Sequence, residues 1–394
     1  MRSMATHSLV ILVWAYALFV VGWYLLNRRF GDGFWWLALL NPFGALFFVP
    51  LPLFGLALLA WPSASLAGAL LAPLLLFGWL YGPLLGPNRR RPDPASAPVD
   101  EPNDAHPEMA PTFTVMTHNL WWRSQRRETA RVPLAVSRGV TVQSAVSRVD
   151  GAPHAAPPAD PARPPHADLP PASAHVGADI VAVQELMPHM AEMLHEELAA
   201  VYPHRLFDIG EAHDPPRRLG VLSRYPLDAL DAAHLVARDF RVQIVRVYVP
   251  PRPILLYNIH PRATLIVRYL REEGPLARKV HRSFTERAVY FQRLVDDIAR
   301  RCEPVIVVGD FNSTEQSDAY KLLARYLTDA HRAVGWGFGH TFPLHGADLG
   351  NLPIPTRLMR LDMIFYSAPL TALSCRVARH HGESDHAPVM ATFG

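Results

Sequence analysis

Apolar and polar positions divide the chain into two regimes. Between Arg2 and Arg28 there is no Asp, Glu, Lys or Arg, and an apolar run extends from Leu9 to Leu26. At about 1.5 Å per residue that run is long enough to cross a hydrocarbon layer of about 30 Å. A cleaved signal peptide is the competing reading. The length of the run, its Trp14, Trp23 and Tyr24, and the lack of a small-x-small cleavage site favour a retained span. From Gly33 to Asn88 no acidic residue, basic residue or histidine occurs, which leaves room for two more spans of about 20 residues each and a turn. They are predicted near Phe34 to Trp61 and Ser65 to Leu85, the first interrupted by Pro42, Pro50 and Pro52. Trp35, Trp36, Trp61, Trp79 and Tyr81 suit the two membrane interfaces. Residues 1–88 are therefore expected to form a multi-pass region in the cell membrane, with the lipid bilayer as partner.

Beyond this region the pattern changes. Residues 89–111 are rich in Pro, Asp and Ala without periodicity and read as a linker, and residues 112–394 as the domain that follows it. Phe113 to Leu120 alternates like a first strand and ends in Asn119. Residues 125–176 are crowded with Pro, Ala and His and contain no Phe, Trp or Tyr, so they bury too little surface to offset chain entropy. They are expected to form a disordered insertion, with a short helix over Val132 to Val149 as the exception. Its His154, His166 and His175 read as solvated filler rather than metal ligands.

Order resumes with a buried strand from Ala178 to Leu186 that delivers Glu185 at its end, then a helix from Pro188 to Val201 with Met190, Leu194 and Leu198 at four-residue spacing. Leu219 to Tyr225, Phe240 to Val249 and Pro253 to Ile259 are further strands, the last leading to Asn258 and His260. Ser283-Phe-Thr-Glu286 has the form of a capping box, predicting a helix from there to Arg301. The β-branched run Val305 to Val308, closed by Gly309, reads as a strand that presents Asp310 and Asn312 on one face and turns Phe311 inward. A short helix near Asp318 to Tyr326, a glycine-rich loop with His340-Thr-Phe-Pro343, and strands at Leu361 to Tyr366 and Pro388 to Phe393 complete the chain.

Composition supports the division. Half of the 394 residues are hydrophobic and only 19% are charged, too apolar for a wholly soluble protein. The net charge of +3 comes almost entirely from arginine, Lys279 and Lys321 being the lone lysines, and by itself carries no inference about nucleic acid. With three spans, Arg28 and Arg29 lie on the same side as Arg89, Arg90 and Arg91, opposite Arg2, so the positive-inside bias places the C-terminal domain in the cytoplasm. Cys302 and Cys375 fit no metal-ligand spacing and read as buried apolar residues or at most one disulfide.

Taken singly, the polar residues at strand ends have bland readings: Asn119 a turn cap, Glu185 a surface carboxylate, His260 a satisfied histidine, Asp362 an edge-strand charge. Collected as Asn119, Glu185, His260, Asp310, Asn312, Asp362, Asp385 and His386, they recur too often beside buried strands to be independent. A charge in that position is unfavourable unless paired or metal-bound. Thr117-His-Asn119, Gln184-Glu185, Asn258-Ile-His260, Gly309-Asp-Phe-Asn312, Arg360-Leu-Asp362 and Ser384-Asp-His386 resemble the ordered motif set of the endonuclease/exonuclease/phosphatase superfamily, with the DNase I-like fold. Leu219 to Tyr225 is similar to its Ser-Arg-Tyr-Pro strand, and His340 to Pro343 to its Thr-Phe-Pro loop. The chain so resembles a membrane-anchored, bacterial-type member.

The resemblance implies an α/β fold, a four-layer αββα sandwich of two mixed β-sheets with helices outside, preceded here by the transmembrane helices. It also implies hydrolysis of phosphate esters with Mg²⁺ or Mn²⁺. Asn119, Glu185 and Asp385 are the expected metal side, since hard cations prefer oxygen ligands. His260, Asp310, Asn312, Asp362 and His386 are the expected catalytic side: Asp310 orients and deprotonates water, Asn312 and His260 donate to phosphoryl oxygens, and Asp362 holds His386 as a second acid/base group. The predicted activity is that of a membrane-anchored phosphoesterase acting on mono- or diesters, with a lipid-linked phosphate favoured by tethering. A membrane-held nuclease, for which Arg262 to Arg287 is a locally basic stretch, and a non-catalytic domain that binds phospholipid or a partner are the alternatives.

Overall fold

The computed structural model describes residues 2–86, 112–120, 177–209, 218–237, 240–264, 269, 274–344, 347–349, 352–354, 356–378 and 384–394. The expected linker, and the expected insertion with its short helix and histidines, lie outside the described residues.

The N-terminal region contains α1 (Arg2–Phe30), α2 (Trp35–Leu40), a 3₁₀ stretch (Asn41–Phe48), α3 (Leu51–Ala60) and α4 (Ala64–Leu85). Thr6–Phe30, Trp35–Ala60 and Ala64–Leu85 are each long and apolar enough to cross a membrane. Pro42 stands at the start of the 3₁₀ stretch and Pro52 in the first turn of α3, where the missing N–H groups leave no helical bond unmade. Val13, Val20, Trp23, Leu37, Phe48, Leu66, Leu70 and Leu84 form the core of this region, while Ile11, Leu18, Leu53, Leu59, Leu75 and Trp79 face outward. An apolar outer surface of that kind suits helices solvated by lipid.

The rest is built on two six-stranded mixed sheets. One contains β1 (Phe113–Asn119), β2 (Ile180–Gln184), β3 (His204–Asp208), β4 (Leu219–Ser223), β13 (Ala372–Val377) and β14 (Val389–Phe393), in the order β13-β14-β1-β2-β4-β3. The other contains β5 (Leu227–Leu230), β6 (Phe240–Val247), β7 (Ile254–Pro261), β8 (Val305–Asp310), β9 (Thr328–Asp329) and β12 (Asp362–Tyr366), in the order β5-β6-β7-β8-β12-β9. A hairpin of β10 (Ala347–Leu349) and β11 (Leu352–Ile354) stands apart. Val115, Ile180, Ala182, Val221 and Val389 of the first sheet pack on Val245, Leu256, Ile306, Val308 and Ile364 of the second. The opposite faces are covered by α5 (Pro188–Glu197) through Met190 and Leu194, and by α6 (Leu276–Ile298) and α7 (Asp318–Leu323) through Phe291, Val295 and Leu323. The expected four layers are therefore present. A short α8 (Ala330–Val334) follows β9.

Several expectations change. The helix read from a capping box at Ser283 begins seven residues earlier, at Leu276, and Ser283 lies inside it. Its first turns persist because Val280 and Phe284 bury against Ala38 of α2, a partner the local pattern does not contain. β3, β5 and β13 are strands the periodicity does not predict; β3 is half-buried along its length and β13 buries only Ala372 and Cys375 among its four central and edge apolar positions. Cys375 is buried but Cys302 is exposed, and both are free thiols.

Candidate active site

All eight strand-end residues meet at one end of the sandwich, where the two sheets part. β1 and β2 run parallel in register, so Asn119 and Gln184 end side by side and Glu185 follows. Glu185 has φ +56°, a left-handed turn that lifts its side chain off the strand line. Asn119 Nδ2 donates to Glu185 Oε1 at 3.3 Å and to Asp310 Oδ2 at 3.0 Å, tying the first sheet to the second.

β8 ends at Asp310, directly opposite Asp362 in the antiparallel β8–β12 pair. Asn312 does not reach Asp310 by strand alternation as expected. It has φ +46°, and the turn brings its backbone N–H to Asp310 Oδ1 at 2.8 Å and its Nδ2 to Asp310 Oδ2 at 3.2 Å. Asn tolerates this conformation better than most side chains. Phe311 turns into the core as expected.

His260, one residue before the end of β7, places Nε2 at 3.6 Å from Glu185 Oε1 and 3.7 Å from Asp310 Oδ2. Arg241, opposite it on β6, donates through Nη1 to His260 Nδ1 at 3.4 Å. That bond makes Nδ1 the acceptor, so the neutral ring carries its proton on Nε2, aimed at the acids. Burial lowers the His260 pKa, against the pull of Glu185 and Asp310, which favours the neutral ring.

His386 is held from its other side. Nδ1 lies 2.8 Å from Asp362 Oδ2, and Nε2 lies 3.8 Å from Asp310 Oδ2 and 3.9 Å from Asp385 Oδ1. Its backbone N–H donates to Ser384 Oγ at 3.1 Å, and Ser384 Oγ donates to the Asn119 carbonyl at 2.6 Å, which fastens the loop to the end of β1. Burial alone would lower its pKa, but Asp362 and then Asp310 raise it to about 10, so the ring is a cation at neutral pH.

Acid outweighs base on the remaining side. Burial raises the Asp310 pKa, with Asp362 adding to it and His386 opposing. Burial, opposed by His386 and reinforced by Glu185, pushes Asp385 up to about 6. Asp385 Oδ1 and Asp362 Oδ1 are buried and accept no hydrogen bond among the described residues. Oxygen donors without enough positive charge are what a hard divalent cation relieves. Donor atoms of Asp310, Asp362 and His386 also lie within 4.8 Å of one another. Within that trio Asp362 and His386 already share a 2.8 Å hydrogen bond, and the charges of Glu185 and Asp310 both act on Asp385 beside it.

Other residues support the cluster from beneath or beside it. Thr341 Oγ1 accepts from the Asp362 backbone N–H at 3.2 Å. Gln184 Nε2 donates to Asn258 Oδ1 at 2.7 Å, and Asn258 Nδ2 donates to the Val183 and Gly220 carbonyls at 3.1 Å each, cross-linking the sheets beneath the site. Arg241 is legible only once the β6–β7 register is known.

The model of the Endonuclease/Exonuclease/phosphatase family matches residues 116–386. Comparison with curated proteins gives no match. Among solved structures, D. rerio TDP2 complexed with single strand DNA product is 15% identical, with 72% of this chain and 99% of that chain covered and a TM-score of 0.46. An endonuclease/exonuclease/phosphatase family protein from Bacteroides thetaiotaomicron is 15% identical, with 72% and 97% covered and a TM-score of 0.42. Beta toxin from Staphylococcus aureus is 13% identical, with 71% and 99% covered and a TM-score of 0.44. The match to the family model takes in strands of both sheets and all eight residues of the cluster: the chain belongs to the endonuclease/exonuclease/phosphatase family.

Proposed function

We propose that residues 112–394 form the catalytic domain of a divalent-metal-dependent phosphoesterase, anchored by residues 1–88, whose substrate is a lipid-borne phosphate ester. The observation that supports hydrolysis is the cluster itself, in which a buried, under-neutralised set of carboxylates faces a neutral and a cationic histidine. Glu185 and Asp385, with Asn119 through Oδ1 since its Nδ2 is engaged, would hold Mg²⁺ or Mn²⁺. When bound, the ion neutralises charge on the phosphate and polarises its P–O bond.

The chain's own residues divide the remaining work. Asp310, its carboxylate basicity raised by burial, orients the attacking water and takes its proton. His260 Nε2–H donates to the non-bridging oxygens as negative charge builds, while Asn312 Nδ2, which donates to the Pro261 carbonyl at 2.9 Å and to Asp310 Oδ2 at 3.2 Å, keeps the Asp310 carboxylate in place. His386, cationic through Asp362, stands across from Asp310 and is suited to protonate the leaving oxygen through Nε2.

The lipid-borne part of the reading rests on the position of the site. The segment 312–318 that continues from Asn312 touches the N-terminal region, through Gln316 to Asn27 and Asp318 to Asp32. The catalytic groups therefore lie within a few residues of the anchor, where a headgroup at the bilayer surface would be concentrated. The arginine distribution favours the cytoplasmic face for the domain, and a reporter fused after Gly394 should read as cytoplasmic. The full-length protein in vesicles with Mg²⁺ is expected to hydrolyse vesicle-borne phosphoesters in preference to plasmid DNA. Preferential cleavage of DNA, or undiminished turnover in excess EDTA, would overturn the reading.

A further inference from the structure

Residues 312–318, Asn-Ser-Thr-Glu-Gln-Ser-Asp, contain no aliphatic or aromatic side chain with which to pin themselves to a core. Yet Ser313, Thr314, Gln316 and Ser317 are buried. What covers and holds them is the N-terminal helical region. The Asp32 backbone N–H donates to Asp318 Oδ2 at 2.7 Å, and the Asp318 backbone N–H donates to Asp32 Oδ2 at 2.8 Å, a reciprocal latch. The latch is braced from the helical side, since Asn41 Nδ2 donates to Asp32 Oδ1 at 2.9 Å and Trp23 Nε1 to Asn41 Oδ1 at 3.2 Å. Buried Asn27 donates to Gln316 Oε1 at 3.3 Å and accepts from Lys321 Nζ at 2.6 Å. Gly31 has φ +53°, and a Cβ there would overlap the Asp318 carboxylate, so the approach needs glycine on both counts.

The other end of the segment is gripped by an arginine. Arg287 of α6 is buried; its Nη1 donates to the Asn312 carbonyl at 2.9 Å and to Ser313 Oγ at 3.0 Å. Its Nη2 donates to the Arg262 carbonyl at 2.7 Å and to Thr264 Oγ1 at 2.9 Å. All four acceptors are neutral, so the charge must be balanced at longer range. Burial disfavours the guanidinium, and Asp32, ahead of Tyr269 and Asp310, is the side chain that most favours it. An acid in the helical region thus serves the arginine that fixes Asn312. A left-handed non-glycine backbone is disfavoured by about 1 kcal/mol or more and persists only where its surroundings hold it.

We propose that Asp32 and Arg287 are positioning residues of the active site: the helical region clamps residues 312–318 so that Asn312 keeps its left-handed turn and its carboxamide stays on Asp310. The N-terminal region is then a working part of the catalytic centre as well as an anchor. The kinetic consequence rests on the phosphoesterase reading; the clamp does not.

The test uses the full-length protein in detergent with Mg²⁺ and a water-soluble probe, bis(p-nitrophenyl) phosphate, so that delivery to a membrane plays no part. Asp32→Ala is expected to speed hydrogen exchange at amides 313–318. It should also lower kcat about tenfold or more at little-changed KM, the mark of a displaced catalytic group. Asp32→Asn, which retains one acceptor oxygen for the Asp318 N–H, should recover part of both. Arg287→Lys, which keeps the charge but loses the fork, should lower kcat and speed exchange at amides 313–318, and gives a second reading should Asp32→Ala fold poorly. Wild-type exchange and wild-type kcat in Asp32→Ala would overturn the proposal. Should the wild type hydrolyse no phosphoester, faster exchange confined to 313–318 in Asp32→Ala upholds the clamp while the functional reading falls, and unchanged exchange defeats the clamp.

Discussion

Two clusters of charge adjoin the second sheet, the strand-end one shared with the first sheet, and they differ in how their acids are matched. Beside α8, Asp329 accepts from Arg360 Nη1 at 3.1 Å, from Tyr320 Oη at 2.7 Å and from the His331 backbone N–H at 2.9 Å. Glu315 accepts from Arg360 Nε at 2.9 Å and lies 2.9 Å from Arg332 Nη1. Two acids meet two arginines, and although burial would raise it, Arg360 holds Asp329 below the usual carboxylate range. At the strand ends four acids, Glu185, Asp310, Asp362 and Asp385, share two cations, His386 and the Arg241 that lies behind neutral His260, with Asp310 and Asp385 raised instead. A matched cluster stabilises the fold, whereas an unmatched one opposes it and persists where function requires it.

Substitutions should separate the two. The largest effect is expected for Asp310→Asn, which should lower kcat by about a thousandfold, or about 4 kcal/mol, while leaving circular dichroism unchanged. Next is Arg360→Met, which removes the cation from buried Asp329 and leaves Glu315 with Arg332 alone, and should reduce stability by about 3–5 kcal/mol in denaturant titration. Asp385→Asn should do the reverse of Arg360→Met, leaving stability within about 1 kcal/mol of wild type or above it while weakening Mg²⁺ binding. A melting temperature for Asp385→Asn as low as that for Arg360→Met would erase the distinction.

The smallest effect is on pH dependence. Asp329 has a folded pKa below its ordinary value of 3.8, so its contribution to stability is present above that value and is lost as pH falls through the folded pKa. Stability curves of wild type and Asp329→Asn should therefore be furthest apart above about pH 4 and draw together as pH falls from there. A constant gap across that window would mean that Asp329 carries no linked proton.

What the sequence makes legible follows from where the physics is local. The central strands β2, β7 and β8 are buried on both faces and open on unbroken apolar runs, and β1 alternates, so the polar residues closing them stand out. β3 and β5 are half-buried and carry no such contrast. The start of α6 depends on Ala38, far away in the chain, and could not be read from its own residues. Asp310 and Asn312 were correctly brought together, but through a left-handed turn rather than the alternation that suggested it. Arg241, Arg287 and the Asp32–Asp318 latch escape pattern altogether, because each depends on which strand or helix lies opposite.

The central claim is that the unmatched acids form a divalent-ion site, and the direct measurement is calorimetric titration of Mg²⁺ into the full-length wild type and Glu185→Ala. The account predicts saturable binding at one site in the wild type and its loss in a Glu185→Ala protein that melts normally. Equal binding by both proteins, or none by the wild type, would contradict it.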